Sequence, residues 1–149
     1  MTATGIMLNA GDTVSISATG AIKIASGDVA RSPAGEPTCV AGPAFTVPGL
    51  PCFSLVGRIG TGPAFPVGTG PTTISATEAG ELLLGVNDDV NTFGDNSGSW
   101  SVTATVTTAG TETSPGAPVA NSDAYTTNEN TRFDGARSGR ARQRCRRRG

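Results

Sequence analysis

Trp100-Ser101-Val102-Thr103-Ala104-Thr105-Val106-Thr107 alternates apolar and hydroxyl side chains without a break. A period of two is the one at which a β-strand sends successive side chains to opposite faces, so this stretch predicts a strand with one face in a core and the other in water. A matching stripe precedes it, with Leu82, Leu84 and Val86 on one face and Glu81 on the other. Earlier still, Val14, Ile16 and Ala18 alternate with Thr13, Ser15 and Ser17 after the turn Ala10-Gly11-Asp12, and Phe53, Leu55, Gly57 and Ile59 offer a fourth stripe. Shorter extended pieces are expected at Gly5 to Leu8, Ala21 to Ile24, Phe65 to Val67 and Thr72 to Ala76. No segment repeats at 3.6 residues. Many short strands punctuated by turn residues predict an all-β chain, a small antiparallel β-sandwich of jelly-roll-like type.

Composition agrees with that outline. The 149 residues include 21 Gly and 10 Pro but only 5% aromatics, which favours turns and short strands over helices. The length suits one domain with appendages. From Ser26 to Pro51 the chain is rich in Pro and Gly and has no period, so a long surface loop is expected, of a kind that tends to line binding sites. Cys39 and Cys52 enclose part of it. They are either a disulfide, which would add about 3 kcal/mol by constraining the unfolded chain, or two small buried thiols. After Thr108 the composition turns to Pro, Gly, Ser and Thr, which sets the first domain at 1–108 and a linker at 109–117.

The net charge of −1 conceals an asymmetry. Residues 1–110 hold eight acidic and three basic side chains, whereas eight arginines lie between Arg132 and Arg148. The folded part is acidic, so nucleic-acid binding would rest on the Arg-rich tail, 132–149, which reads as a disordered and truncated or frame-shifted end with Cys145 in its midst. No apolar run is long enough to cross a bilayer, and the first residues show no secretion signal. The chain has no His. That removes His-activated nucleophiles, His-ligated zinc and imidazole acid/base chemistry.

Between the Leu82 and Trp100 stripes the sequence runs Asn87-Asp88-Asp89-Val90-Asn91-Thr92-Phe93-Gly94-Asp95-Asn96-Ser97-Gly98-Ser99. Its donors are oxygens, and carboxylates with amide and main-chain carbonyls meet the demand of calcium for six to eight hard ligands. The spacing is not that of an EF-hand, because Val90 and Thr92 stand where alternating acidic ligands belong. The plainer reading is a long hairpin connection, since Asp, Asn, Gly and Ser dominate turns. Against it, three carboxylates crowded on one loop repel unless a cation neutralises them.

The stretches Asn87-Asp88 and Thr92-Phe93-Gly94-Asp95-Asn96-Ser97-Gly98-Ser99-Trp100 resemble the calcium loop of the PA-IL-like bacterial galactophilic lectins, small galactose-binding β-sandwiches. The likeness extends to Ala10-Gly11-Asp12-Thr13-Val14, Ser54-Leu55-Val56-Gly57-Arg58-Ile59-Gly60 and Gly80-Glu81-Leu82. The resemblance implies one Ca2+ that holds both the loop and two hydroxyls of a galactose. It makes Asp88, Asp95 and Asn96 side-chain ligands, Thr92 and Ile24 main-chain carbonyl ligands, and Asp88, Asp89, Thr92, Asp95 and Asn96 the sugar-binding set. The family commonly has Asn where Asp95 stands. In the founding type of lectin a His and a Gln on a separate loop also contact the sugar, whereas this chain has no His and its corresponding loop, within Ser26 to Pro51, does not align. A second resemblance, over 118–131, is to the opening strand of the cadherin-like repeats of bacterial surface proteins.

The leading expectation is therefore a calcium-dependent carbohydrate-binding module, with galactose-type sugars or glycoconjugates as partners and an extracellular or cell-surface location. Neither nucleic-acid binding nor membrane insertion is expected, and membership of an oligomer or multidomain chain is left open. A calcium-stiffened adhesion or spacer module without sugar binding is the alternative. An enzyme with Asp88 and Asp95 as a glycosidase pair is not expected, because both carboxylates serve better as metal ligands and the chain offers few aromatic platforms.

Overall fold

The computed structural model describes residues 1–110 and the backbone of residues 121–128. The chain is nearly all β, with strands β1 (Thr2–Leu8), β2 (Thr13–Lys23), β3 (Glu36–Val40), β4 (Pro51–Cys52), β5 (Leu55–Ile59), β6 (Phe65–Pro66), β7 (Thr72–Ser75), β8 (Gly80–Val86), β9 (Ser97–Thr107) and β10 (Asn121–Asn128), and one 3-10 turn at Phe93–Asp95. Two antiparallel sheets, ordered β1-β8-β5-β6 and β10-β9-β2-β7, make the sandwich, while β3 and β4 pair on their own.

The alternating stripes become the two inner faces. Val14, Ile16, Ala18 and Ile22 of β2 and Trp100, Val102 and Ala104 of β9 meet Leu82, Leu84 and Val86 of β8 and Leu55 and Ile59 of β5 in one core. β2 and β9 pair over eleven positions, from Thr13 opposite Thr107 to Lys23 opposite Ser97, which fixes which face each side chain takes. Near the loop end of that ladder, Gly98 has φ +93°, and a Cβ there would stand 2.6 Å from the Ala21 carbonyl oxygen. Any larger residue would push the strands apart just where the acidic loop ends.

Two expectations are corrected. The fourth stripe does not alternate: Leu55, Val56 and Gly57 are all buried, because β5 is an inner strand of its sheet, covered on both faces. Phe53 does not belong to that strand. It sits before β5 with φ 59°, a left-handed conformation that a bulky residue avoids unless held. The long loop also contains structure that its irregular composition concealed, the β3–β4 pair. Of the segments placed after the sandwich, 111–120 and 129–149 lie outside the described residues and include most of the linker and all of the Arg-rich tail. Asn121–Asn128, within the segment resembling a cadherin-like repeat, runs as β10 along β9, from Asn121 opposite Val106 to Asn128 opposite Ser99. β9 carries neither charge nor proline, the usual guards of an exposed edge, so β10 covers an edge that lacks its own protection.

Asp12 ties the opposite end together. Its carboxylate accepts hydrogen bonds from the amides of Asn9 (2.8 Å) and Ala109 (2.9 Å), and its carbonyl accepts the Ala76 amide (2.8 Å). The Asn9 amide first, then that of Ala109, hold its carboxyl below the ordinary carboxylate range. A carboxyl that is more acidic folded than unfolded contributes stability above its unfolded pKa and loses it as pH falls through the folded value. Asp12→Asn should therefore be less stable than the wild type at neutral pH, with the difference shrinking toward pH 2 in thermal unfolding followed by circular dichroism.

Candidate functional site

The acidic loop opens where β8 runs out of apolar residues. Val86 is the last inward side chain of β8, and Asn87 (0% exposed) and Asp88 (3% exposed) follow it into the interior as buried polar groups. Such groups persist only with partners. Asn87 has them: its Nδ2 donates to the carbonyls of Val47 and Pro51, each at 3.0 Å, and its Oδ1 accepts the Val47 amide at 2.8 Å. Its main chain is held as well, by Phe53 N–H to Asn87 O (2.7 Å) and Asn87 N–H to Ser54 O (2.8 Å).

Asp88 is held across the mouth of the loop. Asn96 Nδ2 donates to Asp88 Oδ2 at 3.1 Å, while Oδ1 accepts the Asp89 amide at 2.8 Å. Its carbonyl accepts both the amide (2.9 Å) and the hydroxyl (3.1 Å) of Thr46. Asp89 turns elsewhere, with Oδ1 accepting the Asn91 amide at 3.0 Å in an Asx turn. Thr92 then starts the 3-10 turn, in which Phe93 packs on the core and Asp95 is exposed.

Asp89 thus spends its carboxylate within its own turn, while Asp88 is joined to Asn96 across the loop. Among the described residues no group of three or more His, Cys, Asp or Glu side chains comes together as a metal cluster. The predicted donors that share this end of the sandwich are Asp88, Thr92, Asp95 and Asn96. Ile24 stands at the same end, one residue past the Lys23–Ser97 pair and so in register with Asn96. These donors are the carboxylates of Asp88 and Asp95, the amide oxygen of Asn96 and the carbonyls of Thr92 and Ile24. A set made only of oxygens fits a hard cation such as calcium and suits neither zinc nor copper.

The Pro-rich loop proves to be the second wall. Cys39 and Cys52 form a disulfide with Cα atoms 5.4 Å apart, which decides between the two readings of that pair. The intervening segment lies against the acidic loop through an antiparallel bridge between Phe45 and Asp89, flanked by Thr46 N–H to Asp88 O (2.9 Å) and Val90 N–H to Ala44 O (3.1 Å). Behind it, the Arg31 guanidinium stacks 4.9 Å from the Phe53 ring centroid and pairs with Asp28 at 2.6 Å. That bond, followed by the Val29 amide, lowers the Asp28 carboxyl below its ordinary range. Phe53 also faces the Phe45 ring at 5.6 Å. Sequence reasoning gave no role to Phe45, quoted Asn87 only as part of the acidic loop, and placed Phe53 in a strand stripe. An Asn before two Asp looks like any turn residue, and a lone Phe in a Pro-rich segment has no periodic neighbours to place it.

A family model described as PA-IL-like protein matches residues 1–109, which takes in both walls and every residue of the site described here. The match ends before the segment resembling a cadherin-like repeat and gives that resemblance no support. No curated protein matches the chain significantly.

If Asn87 joins the two walls, removing its amide strands the Val47 and Pro51 carbonyls and the Val47 amide. Asn87→Ala should cost at least about 2 kcal/mol in urea denaturation and raise amide hydrogen exchange across residues 41–53. The isosteric Asn87→Asp should cost as much or more, because it puts a carboxylate oxygen against two carbonyl oxygens.

Proposed function

The chain belongs to the PA-IL-like family, and from that premise we propose that residues 1–109 bind carbohydrate through a calcium ion held by the loop 87–96, with galactose-type sugars or glycoconjugates as ligands. PA-IL-like proteins are lectin-type domains that bind sugars and are not enzymes, which supports a binding role over a glycosidase. The observation that carries the calcium reading is Asp88, a carboxylate 3% exposed at the end of β8 and tied to Asn96 across the loop. A buried acid beside further oxygen donors and, among the described residues, with no basic side chain bonded to it suits a cation.

In this reading Asp88, Asp95 and Asn96 hold the ion with their side chains, and Thr92 and Ile24 with their carbonyls. When bound, calcium supplies a Lewis-acidic centre whose remaining coordination positions accept two neighbouring sugar hydroxyls. The chain's own groups do the orienting. The carboxylates of Asp88 and Asp95 accept hydrogen bonds from the sugar hydroxyls, the Asn96 amide donates, and the main chain at Asp89 and Thr92 borders the ligand. The Asp at position 95 adds a negative charge where the family commonly has Asn, which favours tighter cation binding. The disulfide supports work in an oxidising compartment, at the cell surface or outside it. One small ligand on one open loop is held weakly, so avidity through several copies or modules fits the function.

A second reading has its own support. Asp88 is buried and its carbonyl carries two bonds from Thr46, so a cation there would stiffen the junction of the two loops even with no sugar bound.

Titration calorimetry separates the two. The sugar-binding reading predicts heat from calcium, then heat from methyl galactoside only in its presence, with both lost in Asp88→Ala and on chelation. Calcium heat and a raised melting temperature without heat from any sugar at millimolar concentration would leave the stiffening role alone.

A further inference from the structure

Two half-buried phenylalanines stand outside the core. Phe65, Phe93 and Trp100 pack in or against the central cluster, whereas Phe45 and Phe53 do not. They meet instead at the junction of the two loops, ring to ring at 5.6 Å. Core packing therefore does not account for them, and their placement is costly. Phe53 is the sole non-glycine among the described residues with positive φ (59°). Three features hold it there: the bond from its amide to Asn87 O (2.7 Å), the neighbouring disulfide at Cys52, and the close approach of Gly35 (φ 68°), where a Cβ would collide with the Cys52 carbonyl and the Ser54 amide. Strain maintained by several independent contacts tends to mark a site with a task.

The backbone points to that task. Phe45 lies directly opposite Asp89, and because the flanking bonds run from Thr46 to Asp88 and from Val90 to Ala44, the pair is of the close kind whose side chains share one face. The aromatic ring thus stands beside the acidic loop, with Phe53 and the Arg31 guanidinium stacked behind it and the 54% exposed Val90 next to Asp89.

We propose that Phe45, backed by Phe53, is the apolar platform of the carbohydrate site and takes the C–H face of the pyranoside whose hydroxyls face the acidic loop. The inference rests on the calcium-dependent reading of that loop. A pyranose presents hydroxyls at its rim and C–H groups on its faces, and the galacto configuration gathers its C–H groups on one face. An oxygen-rich loop beside an aromatic ring matches those two kinds of surface. In a chain without His, this gives the Pro-rich wall a way to select among sugars.

The test uses the full chain, calcium-saturated, with methyl β-galactoside as probe. Phe45→Ala should weaken sugar affinity about five- to tenfold at unchanged calcium affinity, and Phe45→Trp should stay within about threefold of wild type. In the wild type, ring-current shifts should move sugar C–H proton resonances upfield, and these should vanish in Phe45→Ala. Equal sugar binding by wild type and Phe45→Ala overturns the platform while leaving the calcium site intact. A parallel loss of calcium affinity makes Phe45 a structural residue and overturns it too. A wild type that binds calcium but no sugar overturns both this inference and the reading beneath it.

Discussion

The geometry of this end of the sandwich depends on one buried amide. Asn87 leaves β8 at the point where the apolar alternation stops, and its side chain spends both donors and its acceptor on the main chain of the Pro-rich loop. An Asn is one of the few residues able to do this, because it offers two donors and an acceptor on one short planar group. These side-chain bonds hold the 41–53 segment against the acidic loop, and the main-chain carbonyl of the same residue accepts the amide of Phe53, which has its left-handed conformation there. The disulfide closes the same segment covalently, so a stretch with almost no regular structure acquires a defined shape.

Asp88 and Asp89 show how that clamp sorts adjacent, chemically identical groups. Following Asn87 inward, Asp88 is buried and bridged to Asn96, while Asp89 bonds to Asn91 and faces the side shared with Phe45. The loop thereby divides its acids between one buried carboxylate and one beside the Phe45 ring, rather than presenting an undivided patch of negative charge. Register does the rest. The eleven-position pairing of β2 with β9 brings the end of β2, and with it Ile24, alongside Asn96.

Much of this was legible from residues whose signal is periodic. The stripes at Val14 to Ala18, Leu82 to Val86 and Trp100 to Val106 identify strands because each has one wet face, and two such faces require a sandwich. β5 was less legible, since an inner strand buried on both sides does not alternate at Val56. The acidic loop could be located but not its internal geometry: spacing treats its three carboxylates alike, whereas Asp89 closes an Asx turn on Asn91 and Asp88 is bridged to Asn96. The Pro-rich wall was least legible. Its contacts run between residues about forty positions apart, such as Val47 to Asn87, and pass mainly through main-chain atoms that leave no mark on the sequence.

Whether the loop 87–96 holds calcium and, through it, sugar is read most directly by amide chemical-shift mapping of the labelled full chain, titrated first with calcium and then with methyl β-galactoside. Calcium should shift the amides of Asp88, Asp89, Thr92, Asp95 and Asn96 and of the residues flanking Ile24. Sugar added afterwards should extend the perturbation to Phe45 and Thr46. Calcium shifts scattered over the acidic surface with none concentrated in residues 87–96, or sugar shifts that persist after chelation, would contradict calcium-held sugar binding at this loop.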